Sequence, residues 1–264
     1  MTKRLLHIGV CPEEVGKYVL IPGSVERAAL IAEYFDEPHL AARSREFLTY
    51  TGRLAGVPVS VTSTGIGGPS MALAVEELAA CGAHTFIRVG SCASDSPESR
   101  TGDVIIPRGA VRMEGTGEYF LPPEFPAVPD YDVFCHVEAA ARRSGYRYNT
   151  GVTITKDSFY TEASPETKPV GEQLKFLWSA YEKGGASNTS MECAPLFLMG
   201  AALGLRTASV MICATNYRAY SNDDKDYPRG WERRAIEVAV DGLRSLILDD
   251  LAAAARKEAP HAGR

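Results

Sequence analysis

The sequence predicts an α/β protein, a single three-layer α/β/α domain on a mixed central β-sheet. Two observations carry this. Runs rich in β-branched and aromatic residues alternate along the whole chain with segments of helical periodicity. No Ser/Gly/Pro-rich stretch divides them, so nothing marks a second domain. At 264 residues the chain suffices for one substantial domain. Residues 1–250 read as that domain, and 251–264 as a C-terminal tail whose charged and small residues fray.

Strands are expected at 17–22 (KYVLIP), 47–54 (FLTYTGRL), 57–64 (VPVSVTST), 84–90 (HTFIRVG) and 103–111 (DVIIPRGAV). Two more are expected at 151–158 (GVTITKDS) and 206–215 (RTASVMICAT). Between them, Met71, Ala74, Val75 and Leu78 fall on one stripe of a helix over 69–82. Val133, Val137 and Ala140 repeat that pattern over 132–144. A helix starting near 193 carries Pro195 in its first turn, where proline is tolerated. The last helix, from about 229 to 256, aligns Ile236, Ala239, Val240, Leu243 and Ile247.

Composition narrows the function. The 28 basic and 33 acidic residues give a net charge of -5, which disfavours nucleic acid as the main partner. An anionic substrate therefore needs a local basic cluster. No apolar run reaches the roughly 18 residues of a membrane span. MTKRLLHIGV passes into CPEEVGK without the long apolar core of a secretory signal. The six cysteines are scattered with no CxxC pair, which predicts buried free thiols and a reducing, cytoplasmic setting.

Four segments carry candidate chemistry. Pro22-Gly23-Ser24-Val25-Glu26-Arg27 turns from a strand into a helix, whose free amides attract an anion, with Arg27 one turn in. Thr64-Gly65-Ile66-Gly67-Gly68-Pro69-Ser70 holds more glycine than a turn requires, permitting close approach of a ligand or a neighbouring backbone. Arg88 lies within the apolar strand that ends in Gly90-Ser91-Cys92. A buried arginine demands an anionic partner, either a structural carboxylate or a bound phosphate. Glu192, before the Pro195 helix, suits two vicinal hydroxyls of a ribose or the helix dipole.

The motifs HIG (7–9), PGSVER (22–27), SREF (44–47), STGIGGPSMALAVEEL (63–78), FIRVG (86–90), EFPAV (124–128), GVTITKDSFY (151–160) and ME (191–192) occur in that order. In this order they resemble the uridine phosphorylase branch of the nucleoside phosphorylase family, from about residue 5 to 248. The resemblance implies that Arg27, Arg45 and Arg88 hold phosphate with Gly23 and Ser91, and that Arg88, Glu192 and Arg27 carry catalysis. It implies that Glu192 grips the ribose hydroxyls beside Met191, and that Phe159 packs on the base or sugar. Arg45 and His7 would come from a neighbouring subunit, His7 reaching the ribose 5′-hydroxyl. The family forms dimers, usually assembled as hexamers. Some members hold potassium at the dimer interface through residues matching Glu46, Ile66 and Ser70. The substrates implied are a nucleoside and inorganic phosphate, with no cofactor, no nucleic acid and no membrane partner.

Departures cluster at the expected base pocket. Uridine-specific members read uracil with a glutamine and an arginine, and here Glu162 and Thr167 take those positions, with Lys168 adjacent. An ionised glutamate only accepts hydrogen bonds, so it favours a base with amino hydrogens over the carbonyls of uracil. Ser91-Cys92-Ala93 replaces a threonine–threonine–glycine run, so Cys92 and Ala93 border a narrowed base site. Ser24 and Ser190 stand where acids are usual, and Asn216-Tyr217-Arg218 also departs. Phosphorolysis of uridine or a related or modified pyrimidine nucleoside is the expected reaction. A cytosine-like or purine base, hydrolysis in place of phosphorolysis, and nucleoside binding without catalysis stand as alternatives.

Overall fold

In the first strand, β1 (Tyr18–Pro22), alternate side chains serve two different cores. Tyr18 and Leu20 face one, Val19 and Ile21 the other, as the period of two along a strand requires. This is a computed structural model, and it describes residues 4–94, 96–216 and 230–258.

From β1 the chain runs through α1 (Val25–Ala32), β2 (Asp36–Ser44), β3 (Phe47–Leu54), β4 (Val57–Thr62), α2 (Gly68–Ala80) and β5 (Thr85–Ser94). It continues through β6 (Val104–Met113), α3 (Tyr131–Ser144), β7 (Tyr148–Lys156), the single turn α4 (Tyr160–Ala163) and α5 (Gly171–Lys183). The described elements end with β8 (Ala186–Ser190), α6 (Cys193–Leu203), β9 (Arg206–Asn216) and α7 (Glu232–Glu258). Among the described residues no helix is long and apolar enough to cross a membrane.

The strands form one mixed sheet in the order β2-β3-β4-β1-β5-β8-β7-β6-β9. β5 also pairs with β9, so five strands close on themselves while the β2 side stays open. β1, β4, β5 and β9 run parallel, which brings their C-terminal ends to one edge. One core packs α1, α3 and α7 against one face, burying Ala28, Val137 and Ile236. The other packs α2 and α6, burying Met71, Val75 and Phe197. These are the two helical layers expected from the sequence, and each stripe residue predicted for α2, α3 and α7 is buried.

Three details differ from expectation. β2 and β8 escape the reading of β-branched runs: β2 is an edge strand with mostly exposed side chains, and β8 is the polar run ASNTS. α7 reaches Glu258, so part of the segment expected to fray is helical. Its LAAAARKE end is rich in alanine and closes on Arg256 and Lys257, both favourable for a helix C-terminus. Of the six free cysteines, Cys81 and Cys135 are only half-buried. Tyr217 and Arg218 lie outside the described residues.

Candidate active site

Strand alternation decides where Arg88 goes. Ile87 and Val89 face the α1/α3/α7 core, so Arg88 projects with Phe86 to the opposite face, where α6 begins. There its Nη2 donates to Glu192 Oε2 in a pair almost wholly out of water, the two residues being 6% and 4% exposed. Burial pushes the guanidinium pKa down, but the carboxylate beside it more than offsets this and raises it above the ordinary value. Glu192 is held on both oxygens. Oε1 accepts from the Gly67 amide at 2.8 Å, and Oε2 also accepts from the Met191 amide at 3.2 Å.

Two glycines make this arrangement possible. Gly67, at φ 92°, adopts a conformation that a side chain would strain, and this aims its amide at Glu192. Gly90 makes room for Arg88, since a Cβ added there would lie 1.5 Å from Arg88 Nη1. The glycine of the FIRVG motif is thus a berth for the arginine two residues earlier.

Arg27 reaches the same place from the other layer. Ser24 caps α1 by accepting from the Arg27 amide at 3.2 Å. The Arg27 guanidinium donates to the Val89 carbonyl at 3.2 Å and to Ser91 Oγ at 3.0 Å. Arg88 Nη1 is buried and has no hydrogen-bond acceptor among the described residues. Gly23, Arg27, Ser91, Arg88, Met191 and Glu192 all line one cleft of about 1080 Å³.

The cleft is also bordered by Cys92, Ala93, Lys156, Phe159 and Thr189. Register brings them together: Ala93 of β5 pairs with Thr189 of β8, and Thr155, next to Lys156, pairs with Ser190. Lys156 forms an ion pair with Glu162, the two side chains being 3% and 5% exposed. Thr189 Oγ1 accepts from Lys156 Nζ at 3.1 Å and donates to Glu162 Oε2 at 3.0 Å. The Phe159 and Trp178 rings stand 5.3 and 5.5 Å from Nζ.

This corrects two expectations. Glu162 is not a bare acceptor facing the base; its charge is compensated by Lys156, behind the cleft surface. Thr167 does not border the cleft: it ends a short 3-10 turn, exposed, with its hydroxyl donating to the Ser164 carbonyl at 2.7 Å. Lys168 does not replace it there, since its ammonium turns to Thr167 Oγ1 at 3.0 Å. Lys156 is a cleft residue missing from the sequence expectations, although a cation closing an apolar strand is the same signal that marks Arg88.

Arg45 and His7 stand outside the cleft of their own chain. Arg45 sits exposed in the β2–β3 turn at φ 54°. His7 Nδ1 lies 2.7 Å from Glu77 Oε1, and Glu77 also accepts from the His7 and Ile8 amides. Burial raises the Glu77 pKa, but these donors prevail and hold it below its ordinary value. At the cleft rim Ile66 is exposed, and Ser70 Oγ lies 3.0 Å from Glu46 Oε1 and 2.6 Å from the Thr64 carbonyl, two acceptors that share its one proton. The Glu46 backbone amide and the Ser70 hydroxyl lower the Glu46 pKa. Among the described residues no three His, Cys, Asp or Glu side chains gather as a metal site would require.

Comparison with known proteins places this cleft in context. Residues 17–241 match the family model described as Phosphorylase superfamily. The chain is 42% identical over 244 residues to a uridine phosphorylase of Treponema pallidum, covering 92% of this chain and 95% of that one. It is 40% identical to one from Thermococcus kodakarensis, covering 91% and 86%, and 33% identical to one from Escherichia coli, covering 92% and 98%. A match across most of the chain, with the glycine turns and buried arginine converging on one cleft, leads to one conclusion: the chain belongs to the phosphorylase superfamily.

Proposed function

We propose that the chain is a nucleoside phosphorylase of the uridine phosphorylase type, converting a pyrimidine nucleoside and inorganic phosphate into free base and (deoxy)ribose 1-phosphate. The carrying observation is Arg88 Nη1, a buried charged donor without an acceptor, in a cleft shared with Arg27, Ser91 and Glu192. A dianionic phosphate supplies the missing acceptors. The uridine phosphorylase relatives supply the substrate class.

The chemistry follows from the placement. Phosphate attacks C1′ as the bond to the base breaks, through a sugar with oxocarbenium-like positive charge. Arg27, Arg88, Ser91 and the Gly23 turn orient the nucleophile, and fixing two reactants in one cleft removes much of the entropic barrier. Each charge-assisted contact contributes about 1.5–3 kcal/mol. Glu192, oriented by Arg88 and two amides, accepts from the 2′- and 3′-hydroxyls beside Met191. Phe159 covers the base or sugar.

Arg45 and His7 complete the cleft of a second copy on this reading, so the working unit is a dimer, assembled further into a hexamer in the cytoplasm. No organic cofactor enters the reaction. A potassium ion between two copies would draw on hard oxygen donors, and Glu46, Ser70 and the Ile66 backbone offer them close together.

The test is base release from uridine with and without phosphate. Strict phosphate dependence is expected, with Arg27→Ala raising the KM for phosphate by about tenfold or more. An equal rate in phosphate-free buffer would select hydrolysis instead. Nucleoside binding without turnover would select a non-catalytic role.

A further inference from the structure

We propose that Lys156 is a catalytic residue, whose ammonium donates to a carbonyl oxygen of the departing base and holds the negative charge that develops there. This deepens the phosphorylase reading and rests on it. Lys156 closes β7 and lines the same cleft as Arg27 and Glu192. It stands beside Phe159 and across from Ala93 and Thr189, where a base attached to a sugar at Glu192 has room. Its side chain is 3% exposed, with two aromatic rings within 5.5 Å, so a fixed charge there is less screened than at the surface.

Glu162 and Thr189 are positioning residues in this scheme. Glu162 lies behind the cleft surface and pairs with the ammonium, while Thr189 bridges the two and fixes the direction of Nζ. Glu162 Oε1 is buried without a hydrogen-bond partner among the described residues, so the pair is left polarised. An ammonium is a compact point charge on a flexible stem, suited to follow charge as it spreads over a ring.

The step balances as follows. The N1–C1′ bond breaks, its electron pair passes to N1 and delocalises onto the ring carbonyl oxygens, and a phosphate oxygen bonds to C1′. Lys156 keeps its proton throughout. The base recovers through solvent the proton that phosphate gives up on becoming an ester.

The experiment compares uridine with 5-fluorouridine, whose base is the more acidic leaving group and needs less help. Lys156→Met is expected to lower kcat on uridine by about 100-fold or more and on 5-fluorouridine by about tenfold or less, with the phosphate KM unchanged. Equal losses on both substrates would reduce the pair to a structural one and overturn the proposal. Because the single variant leaves Glu162 buried without its cation, Lys156→Met with Glu162→Gln repeats the comparison in a neutral pocket. A third readout needs no variant: uracil bound to the native protein, followed by ultraviolet absorption against pH, should ionise at lower pH than free uracil. An unchanged or higher ionisation pH refutes the assignment. If the native protein itself shows no phosphate-dependent turnover of uridine, the function reading fails and this assignment falls with it, whereas equal losses on both substrates in a turnover-competent protein overturn this assignment alone.

Discussion

Both ends of the cleft are built on a buried cation–carboxylate pair, but the two pairs are completed differently. At the Arg88 end both carboxylate oxygens are engaged, with Gly67, Met191 and Arg88 all donating to Glu192, and it is the cation that keeps an unpaired donor in Nη1. At the Lys156 end it is the carboxylate that keeps an open oxygen, Glu162 Oε1, and a hydroxyl bridges the charges. The first pair is a rigid fork berthed over Gly90, suited to orienting a tetrahedral anion. The second is a point charge against aromatic rings, suited to a flat ring whose charge changes during reaction. The contrast shows that burying an ion pair does not specify its use, which depends on the atom left unpaired.

The comparison is broken most directly at Arg88. Arg88→Met should lower phosphate-dependent turnover by about 10³-fold or more, since it removes both the phosphate donor and the partner that holds Glu192. It should also cost about 3–5 kcal/mol in urea unfolding, because Glu192 is left buried without its cation. Near-native activity would show that this end does not bind phosphate.

A sharper version leaves the charge in place and moves it. Gly90→Ala puts a methyl where Nη1 now lies, and should lower kcat/KM by about 100-fold through misplacement alone. Gly56→Ala is the control: at φ 77° with open space around it, it should cost about 1–2 kcal/mol of stability and leave activity unchanged. If the two variants behave alike, the berth explanation is wrong.

At the other end, Thr189→Val removes the bridging hydroxyl while keeping its volume. Turnover of uridine should fall about tenfold, close to 1.4 kcal/mol in the barrier, with the phosphate KM unmoved. A rise in phosphate KM instead would mean that the two ends are not separable.

The smallest effect concerns Glu77, outside the cleft of its own chain, where a carboxylate with a lowered pKa holds the His7 and Ile8 amides. A lowered folded-state pKa contributes stability that is present above the ordinary carboxylate value, about 4.3, and is lost as pH falls through the folded value. Melting temperature should therefore drop below about pH 4.3 in the native protein and drop less in Glu77→Gln. Identical acid profiles would show that this carboxylate makes no linked contribution.

The legible part of the fold was the part written as local pattern. The stripes Met71-Ala74-Val75-Leu78 and Ile236-Ala239-Val240-Leu243-Ile247 are buried because a period of 3.6 residues presents them to one core. β2 and β8 were not legible, because edge position and polar composition hide a strand whose stability comes from its neighbours. The same division runs through the cleft. Arg88 stands out as a charge inside an apolar strand, whereas Lys156 sits at a strand end, where a charge is unremarkable until its burial is known.

Residue chemistry and periodicity along the chain established an α/β domain with two helical layers, a buried arginine in need of an anion, and glycine turns beside it. Which charges meet was a matter of packing. That Glu192 answers Arg88, that Gly90 is a berth and not a turn, and that Glu162 is neutralised by Lys156 depend on the β5–β8–β7 register and on α6 starting at the sheet edge. Periodicity reports the face a side chain takes, but its partner comes from a distant segment, and that distance has no signature in local sequence.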